Sequence, residues 1–381
     1  MSGPLSGLRV IEFGGIGPGP FCAMLLADLG ADLIRIDRLQ DSGLGFGRNT
    51  ARDVTRRGRP TIGIDMKSAD GRAAALRLLS QADAMIEGFR PGVMERLDLG
   101  PDACLAANPK LVYVRMTGWG QDGTMAMQAG HDINYLAQSG ILSMLGRAEG
   151  KPAIPLNMIA DLGGGALFAA FGMLAALRSA SVTGRGQIVD VAMVDGLASL
   201  LAPYYGFLAD GRWREEREAN FLDGGAPWYD VYETADGGYM AVGAIEPKFY
   251  ANLLRVLELD SGLATTQMKR ETWPALRGTL AECFAKRSRA EWEVLFADAE
   301  ACTSPVLGLA EAADRSRQSD RPTVMACDGL PHPLPAPRFS ATPTALPTPA
   351  SAMGTDTDRA LSAWGWTTAD ITTARQAGTL L

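Results

Sequence analysis

Three side chains able to exchange protons stand out by their positions. His131 is one of two histidines in 381 residues and sits in "AGHDINYLAQSG" (129–140), a largely apolar stretch, with Asp132 next to it and Tyr135 one helical turn on. Asp161 lies in "PLNMIADLGGG", an acid inside an apolar helical pattern beside Gly163, Gly164 and Gly165. Glu246 lies in "VGAIEPKFY", just past an apolar strand and before Pro247. A histidine and a carboxyl can serve as general acid and base when held at a reacting centre. Each also has a structural reading: a packed histidine, an Asp161 that caps or is ion-paired, a Glu246 favoured by the macrodipole at a helix start. Spacing alone does not bring the three together.

The elements that must position them fall into two patterns. In the first third, short apolar runs at 8–13, 31–37, 61–66, 84–89 and 111–116 read as strands, with helical patterns at 21–30 and 68–82 between them. Ser68 is a plausible N-cap of the second helix. Strands separated by helices predict parallel pairing and a doubly wound sheet. Residues 157–180 form a long apolar helical pattern broken by the glycine triplet, whose expected use is close backbone approach to a ligand or to another chain. Residues 186–201 add a strand and a helix. After about residue 210 the pattern changes: 212–230 is polar and irregular, 230–245 is a hairpin around Ala235-Asp236-Gly237-Gly238, and helical patterns follow at 247–257, 272–286 and 289–298. Three regions are therefore expected: a large α/β domain over 1–210, a small α+β domain over 225–328, and a Pro-rich return segment completing the large domain over 329–381.

Composition narrows the function classes. Apolar residues make up 47% and charged residues 21%, which fits a globular protein with a sizeable core. A net charge of −7 argues against nonspecific nucleic-acid binding. The five cysteines are widely spaced with no C-x-x-C, so a disulfide framework or zinc site is not expected, and a reduced, cytoplasmic setting fits. Two separated histidines offer no metal-ligand cluster. Cys302 has no neighbouring base and reads as a small buried apolar residue, and His332 as surface or packing. The N-terminus lacks a leader pattern, and no apolar run is judged long enough to span a membrane.

"VIEFGGIGPGPFCAMLLADLGADLIRIDR" (10–38) invites a dinucleotide-binding reading. Pro20 occupies the place of the last glycine, and Pro18 and Pro20 remove backbone N–H donors that a pyrophosphate cradle needs. A tight β–α turn is the better reading. Nearby basic residues are Arg35, Arg38, Arg56, Arg57, Arg59, Lys67, Arg90 and Arg96. Singly each reads as solvated surface, but several lie at predicted C-terminal strand ends, where open α/β sheets bind ligands and forked arginine donors suit phosphates.

The chain resembles the family III CoA-transferase superfamily, and most closely its α-methylacyl-CoA racemase branch, over nearly its whole length. The resemblance rests on "LSGLRVIEFGGIGPGPFCAMLLADLGADLIRIDR", "EGFRPGVMERL", "YVRMTGWGQ", "AGHDINYLAQSGIL", "PLNMIADLGGG", "GRGQIVDVAMVDG", "LDGGAPWYDVYETADGGYMAVGAIEPKFY" and "CTSPVL", in that order. It implies a Rossmann-like doubly wound large domain plus a smaller α+β domain, in an interlocked homodimer. It also implies His131 and Asp161 as the acid/base pair, Glu246 as a partner that orients or charges His131, and Asn157 as a support for Asp161. Arg38, Lys67, Arg90, Arg96 and Tyr135 match positions lining the CoA site. No cofactor is implied beyond the CoA of an acyl-CoA thioester substrate, and no metal, nucleic acid or membrane partner.

Inverting the α-carbon of a 2-methylacyl-CoA requires two acid/base groups on opposite faces in opposite protonation states. Neutral His131 can take the proton while protonated Asp161 donates one, or the reverse, which requires burial to raise the aspartate's pKa. Backbone N–H groups around the glycine triplet are candidates to stabilise the enolate oxygen. The alternative is CoA transfer between carboxylic acids with Asp161 as nucleophile, a mechanism with no evident use for His131. A nucleotide-binding oxidoreductase and a pure binding module are the remaining readings. Pro20 argues against the first, and the acid in an apolar helix is left unexplained by the second.

Overall fold

Valine- and isoleucine-rich runs form the strands of a parallel sheet; five of its six strands are buried along nearly their whole length, as a covered sheet requires, while the edge strand Gln187–Ala192 is largely exposed. A computed structural model of the chain describes residues 2–40, 43 and 50–381. It divides into two compact units: Met1–Ser139, Leu156–Leu200 and Ser316–Leu381 form the first, and Gly140–Pro155 and Leu201–Arg315 the second.

The first unit holds six strands: β1 (Arg9–Phe13), β2 (Asp32–Asp37), β3 (Thr61–Gly63), β4 (Ala84–Glu87), β5 (Val112–Thr117) and β6 (Gln187–Ala192). Every pairing is parallel and the order is β3-β2-β1-β4-β5-β6. The chain reverses its direction of travel between β1 and β4, and such a switch point opens a crevice beyond the C-terminal strand ends. Helix Pro18–Asp28 begins with Pro18 and Pro20 in its first turn, where missing N–H groups cost nothing. Helix Ala69–Leu79 is capped by Ser68, whose hydroxyl accepts the Gly71 N–H at 3.0 Å. Its apolar face, with Leu78 and Leu79, packs on Ile11, Ile34, Ile62 and Met85.

The long apolar segment behaves differently from a plain helix. Met158–Leu167 is a π-helix that continues as the α-helix Phe168–Thr183. Contrary to the expectation from sequence, the 26-residue segment Met158–Thr183 is long and apolar enough to cross a membrane by length and composition alone, with a mean hydropathy of 1.6 over an 18-residue window. The interruption by Asp161 and the glycines hid that length. Here the segment packs against helix Pro18–Asp28, β5 and β6 as a covering helix of the sheet.

Buried ion pairs tie the first unit's loops to the sheet. Glu12 on β1 accepts from Arg35 and, at 2.5 Å, from Arg59, and Arg57 forks onto Asp28 at 3.0 and 2.5 Å. Burial pushes the Glu12 carboxyl up, but the two guanidinium charges outweigh it and hold the group below its ordinary range. Arg35, Arg57 and Arg59 are therefore internal structural charges and cannot meet a ligand phosphate.

The second unit carries an antiparallel sheet of β7 (Tyr229–Glu233), β8 (Tyr239–Gly243) and β9 (Thr303–Pro305), in that order. Trp228, Tyr250, Phe284 and Trp292 fill its core together with the helices Pro247–Val256, Trp273–Phe284 and Arg289–Phe296. Cys302, at φ 50°, is exposed, which corrects its assignment as buried.

The return segment belongs to the first unit. β10 (Val324–Cys327) and β11 (Leu330–Pro333) form a hairpin. His332 is buried, and burial together with the Arg57 charge lowers its pKa. Trp364, Trp366, Ile371 and Leu380 complete the core of the first sheet, and Ile64 bridges Leu380 beside β3.

Candidate active site

Asp161 sits in the first turn of the π-helix, beyond the C-terminal end of β1. The β1 chain leaves through Gly14 and reaches Gly17 at φ 71°, ψ −124°, a conformation that suits glycine. A Cβ on Gly17 would lie 3.2 Å from Asp161 Oδ2, so the bare glycine makes room for the carboxyl. The glycine loop of the tight β–α turn thus has a use, which is to admit a side chain rather than a pyrophosphate.

One neighbour holds the carboxyl and another the backbone that carries it. Asn157, one turn earlier, donates from Nδ2 to Asp161 Oδ2 at 3.0 Å. Asp132 Oδ2 accepts the backbone N–H groups of Ala160 at 2.8 Å and Asp161 at 2.9 Å, capping the π-helix from another element. Burial raises the Asp161 pKa, the Asn157 bond opposes it, the Asp132 charge adds to it and the His131 charge opposes it, with a net upward shift. The His131 charge therefore reaches the Asp161 carboxyl.

His131 is exposed at the start of helix Asp132–Ser139. Its N–H donates to Asn134 Oδ1 at 3.0 Å, and its carbonyl accepts the Asn134 N–H at 2.8 Å, a reciprocal cap that fixes the backbone while leaving the imidazole outside. Tyr135 is 5% exposed and donates its hydroxyl to Gly130 O at 2.6 Å, with the Trp119 ring edge-on at 4.7 Å. Burial, reinforced by the Asp161 charge, pushes its pKa to about 12. That geometry makes Tyr135 a support of the His131 segment rather than an open side chain lining a CoA site.

The glycine triplet packs inside the unit. A Cβ on Gly164 would lie 3.1 Å from Met193 O and one on Gly165 3.1 Å from Pro18 Cβ, while Gly196 approaches Gly164 O so closely that a Cβ would sit at 2.0 Å. In a π-helix the N–H groups bond carbonyls five residues back. The triplet's N–H groups are occupied that way, which corrects their assignment as enolate-stabilising donors, and its close approach is to helices of its own unit.

Among the expected CoA-binding residues, Arg38, Lys67, Arg90 and Arg96 are exposed, and none has an acidic partner among the described residues. Arg38, just past β2, lies over the Phe89 ring at 5.8 Å, beside the loop that follows β4 and carries Arg90. Arg38 follows β2, Lys67 follows β3 and Arg90 follows β4, while Arg96 ends the short helix Val93–Arg96. Glu246 belongs to the second unit, where it is exposed at the N-cap of helix Pro247–Val256 without a side-chain cap bond. Sequence reasoning missed the roles of Gly17 and Asp132. Asp132 directly follows His131, but its bonding partners lie 28 and 29 residues downstream.

The sequence model of the family described as CoA-transferase family III matches residues 5–357. The chain belongs to that family. It is similar to the alpha-methylacyl-CoA racemases of Mus musculus, at 45% identity over 341 residues, and of Homo sapiens, at 42% over 342 residues. Each match covers 89% of this chain and 87% of the relative. The fold is shared with a CAIB/BAIF family protein from Brucella suis at a TM-score of 0.81 and 24% identity, covering 96% of this chain and all of that one.

Proposed function

We propose that this chain is an α-methylacyl-CoA racemase acting on 2-methylacyl-CoA thioesters by 1,1-proton transfer. His131 removes the α-hydrogen from one face while protonated Asp161 delivers a proton to the other, or the reverse, through an enolate. Glu246 orients or charges His131, and Asn157 holds the Asp161 carboxyl. The observation that carries this reading is the Asp161 carboxyl itself, raised by burial, gripped by Asn157 and within electrostatic reach of His131. A raised pKa suits an acid that must be protonated to deliver a proton. Identity to named racemases over most of the chain supports the same assignment.

The CoA moiety is bound by Arg38, Lys67, Arg90 and Arg96 at the strand ends. No metal or further cofactor is required, because the thioester itself acidifies the α-hydrogen. Exposed Leu156, Met158, Leu167, Phe171 and Val182, with Phe171 at 73% exposure, are the kind of apolar surface that a second copy covers, which supports a homodimer. Five free cysteines fit a reducing, cytoplasmic setting.

The test is proton NMR of (R)- and (S)-2-methylacyl-CoA with enzyme in D₂O, with no second acid present. Loss of the α-hydrogen signal, with both epimers converging on one mixture, supports the racemase. No exchange, but thioester turnover once a free carboxylic acid is added, would instead make Asp161 the nucleophile of a CoA-transferase.

A further inference from the structure

Asp132 is used by neither the proposed proton transfer nor CoA binding, yet it is 5% exposed, directly follows His131 and bonds the backbone of Asp161. One of its oxygens, Oδ2, takes both amide N–H groups at the turn that carries Asp161. The other, Oδ1, is buried without a hydrogen-bond partner, and no cation pairs with the carboxylate among the described residues. An ordinary N-cap is a serine, threonine, asparagine or aspartate of the same helix. Here the cap comes from the residue next to His131, so one side chain fixes the spacing of the histidine segment to the turn bearing the aspartate.

We propose that Asp132 is a positioning residue for Asp161, acting through the two π-helix N–H groups it holds and through a negative charge that no cation offsets. The inference rests on Asp161 being a proton carrier. A π-helix is a rare and weakly held geometry, and its first turn needs an acceptor for its free N–H groups. Asp132 supplies it and leaves an uncompensated charge near the Asp161 carboxyl, which favours the protonated acid. The charged or titratable groups facing Asp161 are His131, Asp132 and Tyr135 from the helix Asp132–Ser139 and its start. Asn157 faces it from its own segment and Gly17 from the β1 loop, neither of them charged.

The experiment compares Asp132→Asn with wild type in the full-length protein. Asparagine keeps a carbonyl acceptor for the two N–H groups and removes the charge. The expected result is a retained thermal midpoint, with the Asp161 titration moved to lower pH by on the order of one unit. It is read by carbon-13 carboxyl NMR, with the resonance assigned by its loss in Asp161→Asn. The Asp161-dependent limb of the pH profile for α-proton exchange should move with it. Asp132→Ala, which also removes the acceptor, should lower kcat by a further tenfold or more with a smaller change in KM. An unchanged Asp161 titration in a folded Asp132→Asn variant overturns the proposal. Because that titration is read without turnover, a wild type that exchanges no α-proton refutes the racemase reading separately.

Discussion

Gly17→Ala tests the geometry around Asp161 most directly. The new Cβ would meet Asp161 Oδ2 at 3.2 Å, inside the roughly 3.5 Å at which non-bonded heavy atoms are comfortable. The carboxyl must then shift by a few tenths of an ångström, away from the position that Asn157 holds. A misplacement of about 1 Å costs about 10²-fold in catalysis, so a third of that should slow α-proton exchange by about 3- to 10-fold. The backbone at φ 71°, ψ −124° adds a stability cost on the order of 1–3 kcal/mol for a residue with a Cβ. Gly184→Ala separates the two effects. Gly184 ends helix Phe168–Thr183 at φ 71°, and a Cβ there meets nothing within 4 Å. It should lose about 1 kcal/mol of stability and keep its exchange rate. The assay is α-proton loss in D₂O per folded molecule, with stability read by urea unfolding. A folded Gly17→Ala protein that exchanges at the wild-type rate would refute the idea that Gly17 exists to seat the Asp161 carboxyl.

The Asn157 bond holds the Asp161 pKa down, so Asn157→Ala should move the Asp161-dependent limb of the exchange profile to higher pH, opposite in sign to Asp132→Asn. Burial pushes the Glu87 carboxyl up to about 7 despite its bonds from the Phe89 N–H and Arg115. A raised folded-state pKa contributes stability that is complete below the ordinary value of 4.5 and lost as pH rises through about 7, roughly 3 kcal/mol at most. Urea midpoints should therefore fall more steeply from pH 5 to 8 in wild type than in Glu87→Gln, and parallel curves would count against this. Arg90→Ala should raise KM for an acyl-CoA severalfold and leave kcat nearly unchanged, as measured by initial exchange rates over a substrate series.

The sheet was legible in the sequence because its strands are continuous apolar runs bounded by loops. "LRVIEF" and "LVYVRM" locate β1 and β5 to within one residue, and Ser68 caps its helix as its type predicts. His131 and Asp161 were singled out as acid/base types in apolar surroundings, and the structure brings them within electrostatic reach. Two of the misses share one cause, which is that pairing across long separations leaves no local trace. Arg57 reads as surface until Asp28 faces it, and Asp132 reads only as the neighbour of His131 until the π-helix turn bonds it. The π-helix itself imitates an α-helical pattern, because apolar residues and glycines fit either winding. Cys302 was misjudged because its small apolar type does not reveal that the backbone there, at φ 50°, leaves it exposed.

The bridge between Ile64 and Leu380 has a consequence for how the chain folds. β3 is the last strand on its side of the sheet, and the far end of the chain lies against it: Asp65 donates to Thr379 O at 3.0 Å and Leu381 to Gly63 O at 3.1 Å. The bridged pair is 316 positions apart in sequence (380 − 64). During synthesis the six parallel strands are complete once β6 emerges, while β3 still presents an unpaired backbone edge of the kind that recruits other chains. Nearly half the chain must follow before that edge is closed. That interval is when an unfinished molecule is most exposed to aggregation through this edge.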